Sequence, residues 1–180
     1  MPAEPKKLFL VDAMAHVYRA FFAPMNRMNA PSGIPTKVPF LFANILRRLI
    51  KDYKPDYIGI VFDPPGPTFR DKLFDKYKAQ REPMPDDMKV QLPYVRKLCQ
   101  AMRLPILELK GYEADDVIGG MALQAAKKQV EVLIVTNDKD MMQLVGKNIR
   151  TLRTGSGGPR RISSLMRRRW KKFSAYRRKK

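Results

Sequence analysis

Cysteine and histidine are nearly absent from this 180-residue chain, which has one of each. A lone Cys99 cannot form an internal disulfide, so the reading is a reduced, cytosolic protein. Its place in a helical pattern suits a buried small hydrophobe better than a nucleophile. Long apolar runs are also missing. No stretch reaches the roughly 18 residues of a membrane span, and Leu8–Val11 is too short and too soon followed by Asp12 for a signal peptide. No glycine-rich phosphate loop follows a predicted strand, and the cluster Gly155–Gly158 reads as a linker. Acids are scarce, 17 against 36 Lys and Arg, for a net charge of +19. With 44% hydrophobic residues the chain is not a disordered polycation, and its length suits one domain or most of a larger one.

The charge is uneven. Residues 155–180 hold 11 of the bases and no acid, leaving 25 bases and 17 acids in residues 1–154, a net +8. A moderately basic body suits a polyanion partner, because Lys and Arg displace the counterions of a phosphate backbone. A merely solvated basic surface is the plain alternative. The chain therefore divides into a body, 1–154, and a basic low-complexity tail, 155–180, expected to be disordered because its clumped bases carry no apolar period.

Four short apolar runs rich in β-branched and aromatic residues predict buried strands: Leu8–Val11, Tyr57–Phe62, Pro105–Leu109 and Val130–Val135. Between them, Phe40–Tyr53, Leu92–Met102 and Val117–Lys128 carry helical periodicity. Strand alternating with helix predicts a parallel, doubly wound α/β sheet with flanking helices. Ala23–Pro39 reads as an irregular connection. Pro64–Pro93 has six prolines with mixed bases and aromatics, and a connection that long is usually functional or mobile.

The acids follow the strands. Asp12 and Asp63 close the first two, Glu113, Asp115 and Asp116 come after the third, and Asp138 and Asp140 after the fourth. Ligands of open parallel sheets bind beyond the carboxyl ends of the strands, so seven of the 17 acids are expected at one edge. Each alone could be a turn residue or a helix cap, but independent caps have no reason to share an edge. Crowded carboxylates need protons or cations to neutralise them. Hard oxygen donors without nearby His or Cys suit Mg²⁺ or Mn²⁺, and such ions on carboxylates suit in-line phosphoryl displacement.

These residues, with Tyr18-Arg19-Ala20-Phe21, Gly66-Pro67-Thr68-Phe69-Arg70, Tyr77-Lys78-Ala79-Gln80-Arg81, Met84-Pro85-Asp86-Asp87, Gly111-Tyr112-Glu113-Ala114-Asp115-Asp116 and Thr136-Asn137-Asp138-Lys139-Asp140, carry a resemblance. Residues 6–154 resemble the N-terminal part of the 5′→3′ exonuclease (flap endonuclease-like, PIN-like) domain of bacterial DNA polymerase I. The resemblance implies a metal-dependent nuclease of replication and repair that acts on flapped, nicked or branched DNA, monomeric and normally fused to a downstream polymerase. It assigns Asp12, Asp63, Glu113, Asp115, Asp116, Asp138 and Asp140 to the divalent-metal cluster. It implies that Arg19, Arg70, Lys78 and Arg81 meet the scissile phosphate or the 5′ strand, that Tyr18 and Tyr77 stack on bases, and that 64–93 is an arch over the 5′ strand.

The chain departs from the family pattern at Ala13, at His16 and at Arg103, where the family often has Gly at a helix end; a left-handed backbone there would cost about 1 kcal/mol. The family continues with two further metal-binding aspartates and a helix–hairpin–helix, whereas 155–180 contains no acid. The expectation is a truncated or frameshifted product whose second metal site is incomplete and whose activity is reduced. Two alternatives stand beside it: a DNA-binding module that recognises structure without cutting, and a PIN-like ribonuclease.

Overall fold

The computed structural model describes residues 5–74, 82–155 and 158–160, the last three and Gly155 by their backbone alone. Six strands form one sheet: β1 (Lys7–Asp12), β2 (Tyr57–Val61), β3 (Ile106–Leu107), β4 (Glu131–Val135), β5 (Ile149–Gly155) and β6 (Gly158–Arg160). Their spatial order is β3-β2-β1-β4-β5-β6. The first five run parallel, and β6 turns back antiparallel on β5.

Parallel strands need crossovers, and helices supply them on both faces. Alternate residues of each strand point to opposite sides. Phe9, Val11, Ile60, Phe62, Leu133, Val135 and Leu152 face one core, which is closed by α1 (Ala13–Phe21), α2 (Lys37–Tyr53) and α4 (Asp86–Ala101). Leu10, Val61, Val132, Ile134 and Ile149 face the other, closed by α5 (Ala114–Lys127) and a 3₁₀ turn over Asp140–Leu144. A one-turn helix, α3 (Phe69–Leu73), lies in the long connection after β2. This is the doubly wound α/β sheet that the alternation of strands and helices predicts.

Several boundaries differ from the sequence expectation. The third strand pairs over two residues only, because Glu108 and Leu109 leave the ladder. Helix α4 begins six residues before the predicted Leu92 and accommodates Pro93 in its interior. Helix α1 and strand β5 are additional elements. The Ile149–Gly155 stretch alternates Arg and Thr with apolar residues and so lacks the continuous apolar run of its neighbours, yet it pairs with β4 from Val132↔Ile149 to Val135↔Leu152. Strand structure thus continues past the predicted start of the tail, through the end of β5 at Gly155 and into β6. Arg103 follows the cap of α4 with φ 54, the left-handed conformation that favours glycine. Cys99 is buried on α4, and burial pushes its thiol up to about 11.

No helix among the described residues is long and apolar enough to cross a membrane. Tyr77, Lys78 and Arg81 lie outside the described residues, as do 161–180 of the basic tail.

Candidate active site

The chain turns from strand into helix at Asp12, and this turn builds one wall of the site. Asp12 is the N-cap of α1: its Oδ1 accepts from the Ala15 N–H at 3.0 Å, and its Oδ2 accepts from the Thr136 hydroxyl at 2.7 Å. It is 5% exposed. Burial raises its carboxyl above the ordinary range, the two hydrogen bonds oppose that, and the charges of Asp63 and Asp138 add to it. Hydrogen bonds to a carboxylate each contribute about 1.5–3 kcal/mol, so Asp12 is held firmly in one orientation.

Asp63 stands just past β2. Its Oδ1 accepts from the Ala114 N–H at 2.7 Å and so ties β2 to the start of α5. At that start, Glu113 is the N-cap and donates its own N–H to Asp116 Oδ2 at 3.1 Å. Asp115, the second residue of α5, is pushed up to about 6, first by burial and then by the charges of Asp12, Asp138, Asp63 and Glu113. Beyond β4, the Asp138 N–H donates to Thr136 Oγ1 at 3.0 Å, and Asp138 Oδ1 accepts from the Asp140 N–H at 2.8 Å. Thr136 therefore links the ends of β1 and β4 through one hydroxyl.

Five of the seven expected acids, Asp12, Asp63, Glu113, Asp115 and Asp138, line a single open cleft of about 980 Å³. Asp116 and Asp140 are not among its lining residues. Asp116 is engaged by Arg70 in a two-pronged pair at 2.5 and 2.7 Å, with Glu113 at 3.7 Å from the same guanidinium. Arg70 also lies over the Phe69 ring, so it clamps α3 to the start of α5. Tyr18 lines the cleft, and its ring stacks on Phe22. Arg19, on the same helix, donates to Thr154 Oγ1 at 3.4 Å; burial and Arg153 lower the pKa of its guanidinium.

Three features escape a reading of motifs. Arg96 lines the cleft from α4, stacked on Phe62 and paired with Glu108 at 2.7 Å. Its position on the inner face of an amphipathic helix was the available signal. Asn137 also lines the cleft and donates to Thr154 Oγ1 at 3.4 Å. His16 is wholly buried between Val135 O (3.2 Å) and Thr154 Oγ1 (3.3 Å). Its Nε2 can only donate to a carbonyl, so Nδ1 accepts from the threonine. Burial lowers its pKa to about 4, making it a neutral core residue and neither a salt-bridge partner nor a proton carrier at neutral pH.

The donor chemistry of the cleft fits a hard divalent cation: carboxylates dominate its lining, no His or Cys is among the lining residues, and the repulsion of the carboxylates is already expressed in Asp115. Among the described residues no three or more His, Cys, Asp or Glu side chains are grouped closely enough to hold a metal ion together. The carboxylates ring the cleft instead, an arrangement suited to Mg²⁺-type ions, which keep several of their own waters and take few direct ligands.

Comparison with known proteins places this arrangement. Residues 7–173 match the sequence model of the "5'-3' exonuclease, N-terminal resolvase-like domain" family. DNA polymerase I of Caldicellulosiruptor bescii is 41% identical over 143 residues, 79% of this chain and 17% of that protein. A 5'-3' exonuclease of Aquifex aeolicus is 41% identical over 144 residues, 80% of this chain and 50% of that one. The chain thus spans from about a sixth to half the length of these relatives. Among solved structures, the T5 5'-exonuclease with bound zinc superposes with a TM-score of 0.66 at 15% identity, covering 90% of this chain and 60% of that one. The catalytic core of Rad2 in complex with DNA gives 0.54 at 17%, covering 91% and 50%; at such identities the likeness is one of fold. The chain belongs to the family of 5′-3′ exonuclease N-terminal, resolvase-like domains.

Proposed function

We propose that this domain hydrolyses DNA phosphodiester bonds near 5′ ends and at 5′ flaps, dependent on a divalent cation. The observation that carries the reading is the convergence of Asp12, Asp63, Glu113, Asp115 and Asp138 on one cleft of a net-basic protein. Family membership and the DNA held by the Rad2 core support nucleic acid as the substrate. The ions named in the T5 5'-exonuclease structures support a metal, and carboxylates without a His or Cys among the lining residues favour Mg²⁺ or Mn²⁺.

A bound divalent cation supplies a water of lowered pKa and neutralises charge on the phosphoryl group. The protein does the rest. Asp12, immobilised at both oxygens, and Asp63, fixed by the Ala114 N–H, set the positions of the donors. Asp115 and Asp138 complete the ring, and Asp116 and Asp140 act behind it. Asp116 holds Arg70, and the backbone N–H of Asp140 donates to the Asp138 carboxylate. Arg19 and Arg70, together with Lys78 and Arg81, bind the phosphates of the 5′ strand. Tyr18 offers a ring to a base, with Tyr77 as its counterpart, a contact that tolerates any sequence.

A gel assay on a 5′-labelled flap duplex tests this. The expected result is slow Mg²⁺- or Mn²⁺-dependent release of short 5′ products, in line with the reduced activity expected from the sequence, and lost in Asp115→Asn while DNA binding persists. Salt-sensitive binding with no cleavage in either ion would overturn the reading in favour of a non-cutting DNA-binding module. Preferential cleavage of single-stranded RNA would overturn it in favour of a ribonuclease.

A further inference from the structure

Helix α2 presents two unlike faces. Val38, Phe42, Leu46 and Leu49 are buried in the core. Asn44, Arg47, Arg48 and Lys51, spaced i, i+3, i+4 and i+7, share the opposite face. With Ile50 and Met102, the residue that caps α4, they line a groove of about 580 Å³ that no acid borders. No ion pair among the described residues engages Arg47, Arg48 or Lys51.

The groove is separate from the acidic cleft. Helix α2 starts beside Gln91, whose Oε1 accepts from the Val38 N–H at 2.9 Å, next to the cleft-lining Leu92. From Val38 to Lys51 the helix rises about 20 Å, so the groove lies toward the opposite end of the sheet. Compensation of the α2 dipole accounts for Lys51 in the last turn, but not for Arg47 and Arg48, which precede it.

We infer that this groove is a second DNA-binding surface, one that takes the phosphate backbone of a duplex arm extending from the cleft. The inference rests on the DNA-cleaving reading of the cleft. Asn44 to Lys51 covers about 10 Å of helix axis, the length over which one DNA strand presents about three phosphates. Three cations with an amide donor match that count. The lack of any bordering acid gives charge complementarity to DNA, and the planar guanidiniums suit paired phosphate oxygens. The apolar floor formed by Ile50 and Met102 supports the stems of the long side chains and leaves their charged ends at the rim.

Fluorescence anisotropy on the full chain, without divalent cations so that no cleavage intervenes, tests the groove. The probes are flap substrates whose duplex arm is about 30 or about 8 base pairs long, titrated across salt. The triple variant R47Q/R48Q/K51Q is expected to bind the long-arm DNA about tenfold or more weakly and to lower its salt slope by about 2–3, with the short-arm DNA little changed. A control of equal charge on the other face of the sheet, K127Q/K128Q/K147Q, is expected to leave both slopes as they were. Unchanged long-arm affinity in the groove variant, with an unaltered circular dichroism spectrum, would overturn the inference. Equal losses in both triple variants would overturn it too, since net charge alone would then explain binding. Failure of the cleft reading shows separately, as absent cleavage in the flap assay.

Discussion

Asp115 is the residue at which the electrostatics of the cleft is most concentrated. Its pKa of about 6 in the folded chain, against 3.8 ordinarily, means that the folded state holds more protons than the unfolded one between those values. Stability therefore falls as pH rises through that window, and the full penalty applies above it. Asp115→Asn is expected to raise stability at pH 7.5, without divalent cations, by roughly 1 kcal/mol after solvent screening of the partly exposed carboxylate, read as a urea midpoint. A destabilised variant would contradict the crowding of charge. His16 works in the other direction. Its folded pKa of about 4 lies below the ordinary 6.5, so the unfolded chain binds the extra proton between them, and stability is lost as pH falls. Between pH 7 and pH 5 this amounts to about 2 kcal/mol, and His16→Gln is expected to show a shallower decline in urea midpoints over the same range. Equal declines would show that His16 is not buried as a neutral ring. The strand-terminal acids were legible in the sequence because an Asp directly after an apolar run has a fixed place on a parallel sheet. His16 was not, since nothing local announces that a helix residue will face a threonine 138 positions away.

That threonine belongs to β5, the element hardest to see in the sequence. Its alternation of Ile149, Thr151 and Leu152 with arginines resembles a solvated segment, and the Gly-Ser-Gly-Gly that follows suggests that structure has already stopped. Its pairing with β4 on one side and β6 on the other gives it a reason to be a strand. Once formed, it places Thr154 where His16, Arg19 and Asn137 all meet one hydroxyl. Replacing that hydroxyl by a methyl leaves a buried Nδ1 without a donor. Thr154→Val is therefore expected to cost about 1–2 kcal/mol in chemical unfolding, with Thr154→Ser retaining most of the stability. Equal loss in both variants would assign the effect to packing of the methyl group instead. The helices illustrate the same division. Periodicity located α2 and α5, whereas the start of α4 was hidden among prolines and acids that read as part of a loop.

At the scale of the molecule, the distribution of charge is the organising fact. A chain with 36 bases and 17 acids gathers five of its strand-end carboxylates, with Glu82 and Glu108, into one cleft and leaves cations on its outer surfaces, including the α2 groove. Parallel topology accounts for the first half of this, because it sends the ends of β1, β2 and β4 to the same edge. Thr136 and the Asp63–Ala114 contact then fix their relative positions. The central claim is that these carboxylates together engage a divalent cation. Isothermal titration of Mn²⁺ into the whole chain and into Asp63→Asn and Asp115→Asn measures this directly. The account predicts one ion bound per chain, with affinity sharply reduced in both variants. Absence of binding to the unaltered chain, or binding that neither substitution weakens, would contradict it.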